Sequence, residues 1–258
     1  MELAFDPVEQ LRTDGDALID ITRRFDASTP VSSCPGWTLG DLARHQAGVW
    51  TMFARIVADR VTEPGDVQAV RESLTELGRD DQHVADTLTR ALRDVVDAVA
   101  AEAPETVVWN WTADNGDVAW VRRRMAHETA IHRWDASDAV GEPSELSTAV
   151  AADGIDEFLE FFLGRGQAEG AADVDGTVHI HCTDTDETHT ARGEWYVSTV
   201  AVGGVEFTRE HRKGDAAIRG AAADVLLWLW RRSTGADSSV EIVGDETVAA
   251  RFRAFPRL

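Results

Sequence analysis

The sequence predicts a helical bundle followed by a small α+β domain, and three observations predict it. Apolar residues recur at helical spacing from Val8 to Leu163. Past the stretch GRGQAEGAADVDG the apolar period drops to two. The chain has 258 residues, 43% of them hydrophobic, enough for one large domain or two ordinary ones with real cores.

The elements follow in order. Val8–Phe25, Leu39–Val61, Val67–Ala101, Val118–Val140 and Leu146–Leu163 read as helices, four long ones and a fifth. The stretches STPVSSCPG, EPGD, APET, ADNGD and GEPS interrupt them with residues that break helices. Sequential helices on short loops pack as an antiparallel bundle, which places a helical domain at residues 1–166. Residues 167–258 then form the α+β domain. In Thr177–Thr183 the apolar Val178, Ile180 and Cys182 alternate with Thr177, His179, His181 and Thr183, a half-buried strand. Further strands are expected at Thr188–Val197, Thr199–Glu210 and Ala216–Arg219. AAADVLLWLWRR reads as a buried helix, VEIVG as a short strand and DETVAARFRAF as a last helix.

Charge narrows the partners. Against 46 acidic residues stand 25 basic ones, a net charge of -21. Such a surface repels nucleic-acid phosphates and anionic membranes. MELAFDPVEQ has neither a basic n-region nor an apolar h-region. No apolar run reaches membrane-spanning length. Cys34 and Cys182 form no CxxC pair, so no disulfide framework is expected. The expectation is a cytoplasmic protein that binds no nucleic acid and no membrane.

The chemistry lies in two stretches. Residues 125 to 136 read MAHETAIHRWDA. His127 and His132 stand five apart, which rotates them about 140° from each other on a helix. Glu128 and His132 stand four apart and share a face. A carboxylate and an imidazole so placed can ligate one zinc, given a third protein ligand. The second stretch, CPGWTLGDLARHQAGVW, spans residues 34 to 50. Thr38 and Asp41 make a capping box, with Trp37 and Leu42 at the positions of a hydrophobic staple. The inward stripe of the helix then runs Leu42, His45, Val49, Met52 or Phe53, and Ile56. His45 on that stripe is either a core imidazole bonded to a carbonyl or the missing ligand. Two helices that each carry inward metal-type ligands make a known kind of bundle site.

CPGWTLGDLARHQAGVW together with HETAIHRWDA resembles the mycothiol-dependent maleylpyruvate isomerase family of actinobacteria, within the wider DinB-like four-helix superfamily. The resemblance covers nearly the whole chain. It implies a DinB-like antiparallel four-helix bundle and a small C-terminal α/β domain of sterol-carrier type. It also implies zinc held by His45, Glu128 and His132, the same residues that spacing brings forward. An arginine of the C-terminal domain is implied at the active site. Arg232 is the match chosen, with Arg231 beside it.

Three protein ligands leave one zinc position open, the mark of a catalytic site. A thiol that coordinates the ion is deprotonated, and the resemblance implies mycothiol as that thiol cofactor. The expected partner is an electrophilic small-molecule substrate. The reaction is cis-trans isomerisation, in which the sulfur adds and leaves, or S-transfer, in which it stays. Two alternatives remain: a non-catalytic binding or scaffold module, and a metal-dependent hydrolase. His and carboxylate ligands also suit iron, nickel or manganese. Elsewhere, His179 and His181 are expected on a solvated strand face and Cys34 as a small buried thiol. Asp135 is expected to orient His132 or to pair with Arg124 or Arg133.

Overall fold

The structure, a computed structural model, describes residues 3–73, 83–112, 116–142, 144–163, 175–200, 204–232 and 239–256. The chain divides into two compact units: Asp6–Ser144, and Glu145–Leu258 together with Met1–Phe5.

The first unit is a helical bundle. Helix α1 (Pro7–Arg24) starts where Asp6 accepts the backbone N–H groups of Val8 and Glu9, with Pro7 in the first turn. Helix α2 (Leu39–Ala58) starts on the capping box, with both reciprocal bonds between Thr38 and Asp41 formed. Helices α3 (Pro64–Ser73) and α4 (Val84–Ala101) follow. The sequence reading joined these into one helix over Val67–Ala101; its residues 74–82 lie outside the described residues. A two-stranded ribbon, β1 (Val107–Val108) with β2 (Gly116–Asp117), leads into α5 (Val118–Ala139). The long helices close over Leu11, Leu18, Leu42, Trp50, Phe53, Leu88, Val95 and Met125. Polar contacts also cross this core. Trp50 Nε1 donates to Thr129 Oγ1 at 3.0 Å, and half-buried Arg133 meets buried Asp14 of α1 at 2.9 Å.

The second unit is a five-stranded sheet with helices. The strands are β3 (Thr177–Cys182), β4 (Glu194–Val200), β5 (Gly204–Thr208), β6 (Ala216–Gly220) and β7 (Glu241–Gly244), in spatial order β5-β4-β3-β6-β7. The β3–β6 pair is parallel and the rest are antiparallel. Val178, Ile180, Trp195, Val197 and Ile218 are all buried. Helices α7 (Ala222–Leu229) and α8 (Glu246–Ala254) contribute Val225, Leu226, Val248 and Phe252 to the buried apolar residues of this unit.

Two expectations need amendment. Helix α6 (Thr148–Glu157) continues through a π turn, Phe158–Phe162, and belongs to the second unit. The units therefore part after Ser144, and residues 164–174, where the sequence changes texture, lie outside the described residues. Hydrogen bonds tie α6 to the sheet. Asp156 accepts from Trp195 Nε1 at 2.9 Å and from Arg209 at 2.6 and 2.8 Å, and Asp153 accepts from Thr190 Oγ1 at 3.0 Å. The strand expected from Thr188 begins only at Glu194, because Ala191 and Arg192 turn the chain with φ near +53°. Among the described residues no helix is long and apolar enough to cross a membrane.

Candidate metal centre

The candidate site is built where α2 and α5 face each other. The turn before α2 carries Gly36 at φ +86°, a left-handed position that suits glycine. It is closed by Trp37 N–H to the Cys34 carbonyl at 3.0 Å and Val31 N–H to the Trp37 carbonyl at 2.9 Å. This fixes Cys34 and Trp37 just ahead of the capping box. In the second turn of α2 stands His45, and α5 presents Glu128 and His132 one turn apart.

The three residues named from the sequence come together. His45 Nε2 lies 3.1 Å from Glu128 Oε1, and His132 Nε2 lies 3.4 Å from the same oxygen. One ligand atom from each lies within 4.8 Å of the other two. Two ligands at zinc's usual bond length, at tetrahedral angles, stand about 3.4 Å apart. The donor set and its spacing therefore fit a divalent ion bound by two imidazoles and one carboxylate. The imidazoles are held by an aromatic wall. The Trp37 ring centroid is 5.0 Å from that of His45 and 6.3 Å from that of His132.

Two of the three ligands have their other side fixed. Arg124, one turn before Glu128, makes a short ion pair with Oε2, so Oε1 alone is turned to the imidazoles. The Nδ1 of His132 is 2.9 Å from Asp135 Oδ2, and Asp135 is wholly buried. Of the three partners open to Asp135 in the sequence, the structure sets His132 against it. Arg124 goes to Glu128 and Arg133 to Asp14. Cys34 Sγ donates to the same Asp135 oxygen at 3.4 Å, so this thiol is half-buried beside the site rather than packed in the core.

The charges follow from these contacts. Burial opposes ionisation of Glu128, yet Arg124, His132 and His45 outweigh it and hold the carboxyl well below its usual range. Burial also opposes a charged His132, yet Asp135, Cys34 and Glu128 raise it well above an ordinary imidazole. A cation entering beside Oε1 would meet an ionised carboxylate already in position.

Arg232 lies in the second unit, just past α7. Its N–H reaches the Leu227 carbonyl at 2.8 Å, and its Nη1 donates to the Trp230 carbonyl at 2.9 Å. Arg231 has a different task. It takes a left-handed φ of +61°, and its guanidinium donates to the carbonyls of Arg253, Ala254 and Pro256 at the end of α8. That network gives Arg231 a structural role at the end of α8. Arg124 and Cys34 were not read as site residues from the sequence. The i, i+4 spacing of Arg124 and Glu128 was the one available signal; nothing local marks Cys34.

Residues 8–137 match the mycothiol maleylpyruvate isomerase N-terminal domain, and residues 149–251 match the MDMPI C-terminal domain. Among solved structures, the chain is similar to a mycothiol-dependent maleylpyruvate isomerase, at 11% identity and TM-score 0.58 over 92% of this chain and 91% of that one. A histidine-to-alanine mutant described under the same name is similar at 11% identity and TM-score 0.57 over the same shares. At that identity the likeness speaks to the fold. No curated protein matches the chain.

Proposed function

We reason from one premise: the chain belongs to the mycothiol maleylpyruvate isomerase family. We propose that it is an enzyme that binds zinc through His45, Glu128 and His132 and uses mycothiol against an electrophilic small molecule, as an isomerase or an S-transferase. The observation that carries this reading is the meeting of both Nε2 atoms at one carboxylate oxygen, 3.1 and 3.4 Å away. When bound, the ion would supply the positive charge that ionises a coordinated thiol.

The chain's own residues supply the rest. Asp135 orients His132 so that Nε2, not Nδ1, faces the site. Arg124 restricts Glu128 to one oxygen. Trp37 packs beside both rings. Arg232 is proposed to bind the substrate, because a guanidinium recognises a carboxylate in a two-pronged fashion.

The test uses untagged protein. His45→Ala is expected to lose one equivalent of zinc while keeping its helical circular dichroism. Consumption of maleylpyruvate or another electrophile should require added mycothiol and vanish in that variant. Turnover that needs the metal but no thiol would move the reading to hydrolysis. Full retention of zinc by His45→Ala would remove the ligand set itself.

A further inference from the structure

The second unit carries another set of metal-type side chains. Alternation along β3 puts His179 and His181 on one sheet face, and the antiparallel register sets Glu194 of β4 directly across from His181. His211, in the segment between β5 and β6, returns to the same carboxylate. His181 Nδ1 is 2.8 Å and His211 Nδ1 3.1 Å from Glu194 Oε1, while His179 Nε2 makes a short contact with Oε2. The ring centroids stand 4.9, 5.8 and 6.5 Å apart, edge to face. One ligand atom from each of the four lies within 4.8 Å of the others.

We propose that His179, His181, Glu194 and His211 form a second divalent-metal site, selective for ions such as zinc. Three of the chain's eight histidines converge there, from a strand and a distant loop. The sequence reading put His179 and His181 on a solvated face, yet His179 is buried and His181 half-buried. Imidazole-rich sets with one carboxylate suit zinc, nickel and copper ions. Four protein ligands fill a tetrahedral shell, the pattern of a structural rather than a catalytic ion. The ion would clip the loop that carries His211 to the central strands of the sheet. This inference does not depend on the first site or on thiol chemistry.

Zinc titration of untagged, chelator-stripped protein tests it. The wild type is expected to bind two equivalents and His45→Ala one. His211 is exposed, so His211→Ala should leave the fold intact, which circular dichroism checks. In the His45→Ala background, His211→Ala should weaken the remaining zinc by more than the roughly 10–100-fold that loss of a supporting partner costs. Adding His181→Ala should abolish it. Cobalt in His45→Ala should give visible absorption bands that the same two changes erase. The proposal falls if His45→Ala binds no metal, or if its metal is unmoved by replacing His181 and His211. The zinc lost between wild type and His45→Ala reports the first site separately.

Discussion

The two nitrogens of His132 face different partners, and that division fixes what each neighbour does. Nε2 points to Glu128 and Nδ1 to Asp135. A buried carboxylate behind a metal-ligating imidazole sets its tautomer and raises its basicity. Asp135→Asn keeps the shape but gives up the charge. It is expected to weaken metal at His45, Glu128 and His132 by about 10–100-fold without unfolding the bundle; competition against a zinc-binding dye, with thermal melts alongside, measures both. An unchanged affinity would show that Asp135 serves Cys34 rather than the ion. The geometry also marks what single-sequence reading reaches. Spacing brought out Glu128, His132 and His45, because helical periodicity decides which faces meet. It left Asp135 with three possible partners, because rotamers and the neighbouring helix decide that choice. Cys34 stayed hidden for a related reason: its place depends on a turn that folds back through Gly36.

At the level of the element, α2 is the part whose origin can be traced most directly to sequence. Its first turn is held by the Thr38–Asp41 box, legible in the sequence because caps are local. The Thr38 backbone N–H, the Arg44 guanidinium and the Thr38 hydroxyl hold the Asp41 carboxyl down at about 2. A carboxyl depressed in the folded state stabilises the fold above its ordinary range and stops doing so as pH falls through the folded value. The wild type should therefore lose this contribution on acidification from the ordinary carboxylate range toward pH 2, and Asp41→Asn should not. The gap between the melting temperatures of the two proteins, followed from pH 7 down toward pH 2, should narrow as the pH falls below the ordinary carboxylate range; a constant gap would assign Asp41 no titrating role. The effect is modest, since Asp41 is partly exposed. Other elements were less legible. Apolar spacing runs on from Val67 to Ala101, a reach of which the structure describes α3 and α4, with residues 74–82 outside the described residues. The strand expected from Thr188 failed because left-handed turns at Ala191 and Arg192 are not forced by those residue types.

For the molecule as a whole, the assignment of α6 decides where the chain can be cut. Its apolar residues suit a bundle helix, which is why the sequence alone grouped it with the helical domain. Its buried polar residues answer to the sheet instead. Asp156 is wholly buried against Trp195 and Arg209, and Asp153 lies against Thr190. Stripped of α6, the sheet would leave the Trp195 indole N–H without its acceptor, and an unsatisfied buried group costs roughly 1–3 kcal/mol. It would also expose the surfaces that Val150, Ile155, Phe158 and Leu159 cover. Fragment 145–258 is therefore expected to fold cooperatively, and fragment 167–258 to aggregate or to melt without a transition. The reciprocal pair behaves in the same way. Fragment 1–144 should stay helical and monomeric, while 1–166 carries an amphipathic helix with no face to bury and should self-associate. Size-exclusion chromatography and thermal melts of the four fragments decide the matter. A well-folded 167–258 would mean that α6 only leans on the sheet, and the boundary near residue 166 would then be the better description of how this chain is built.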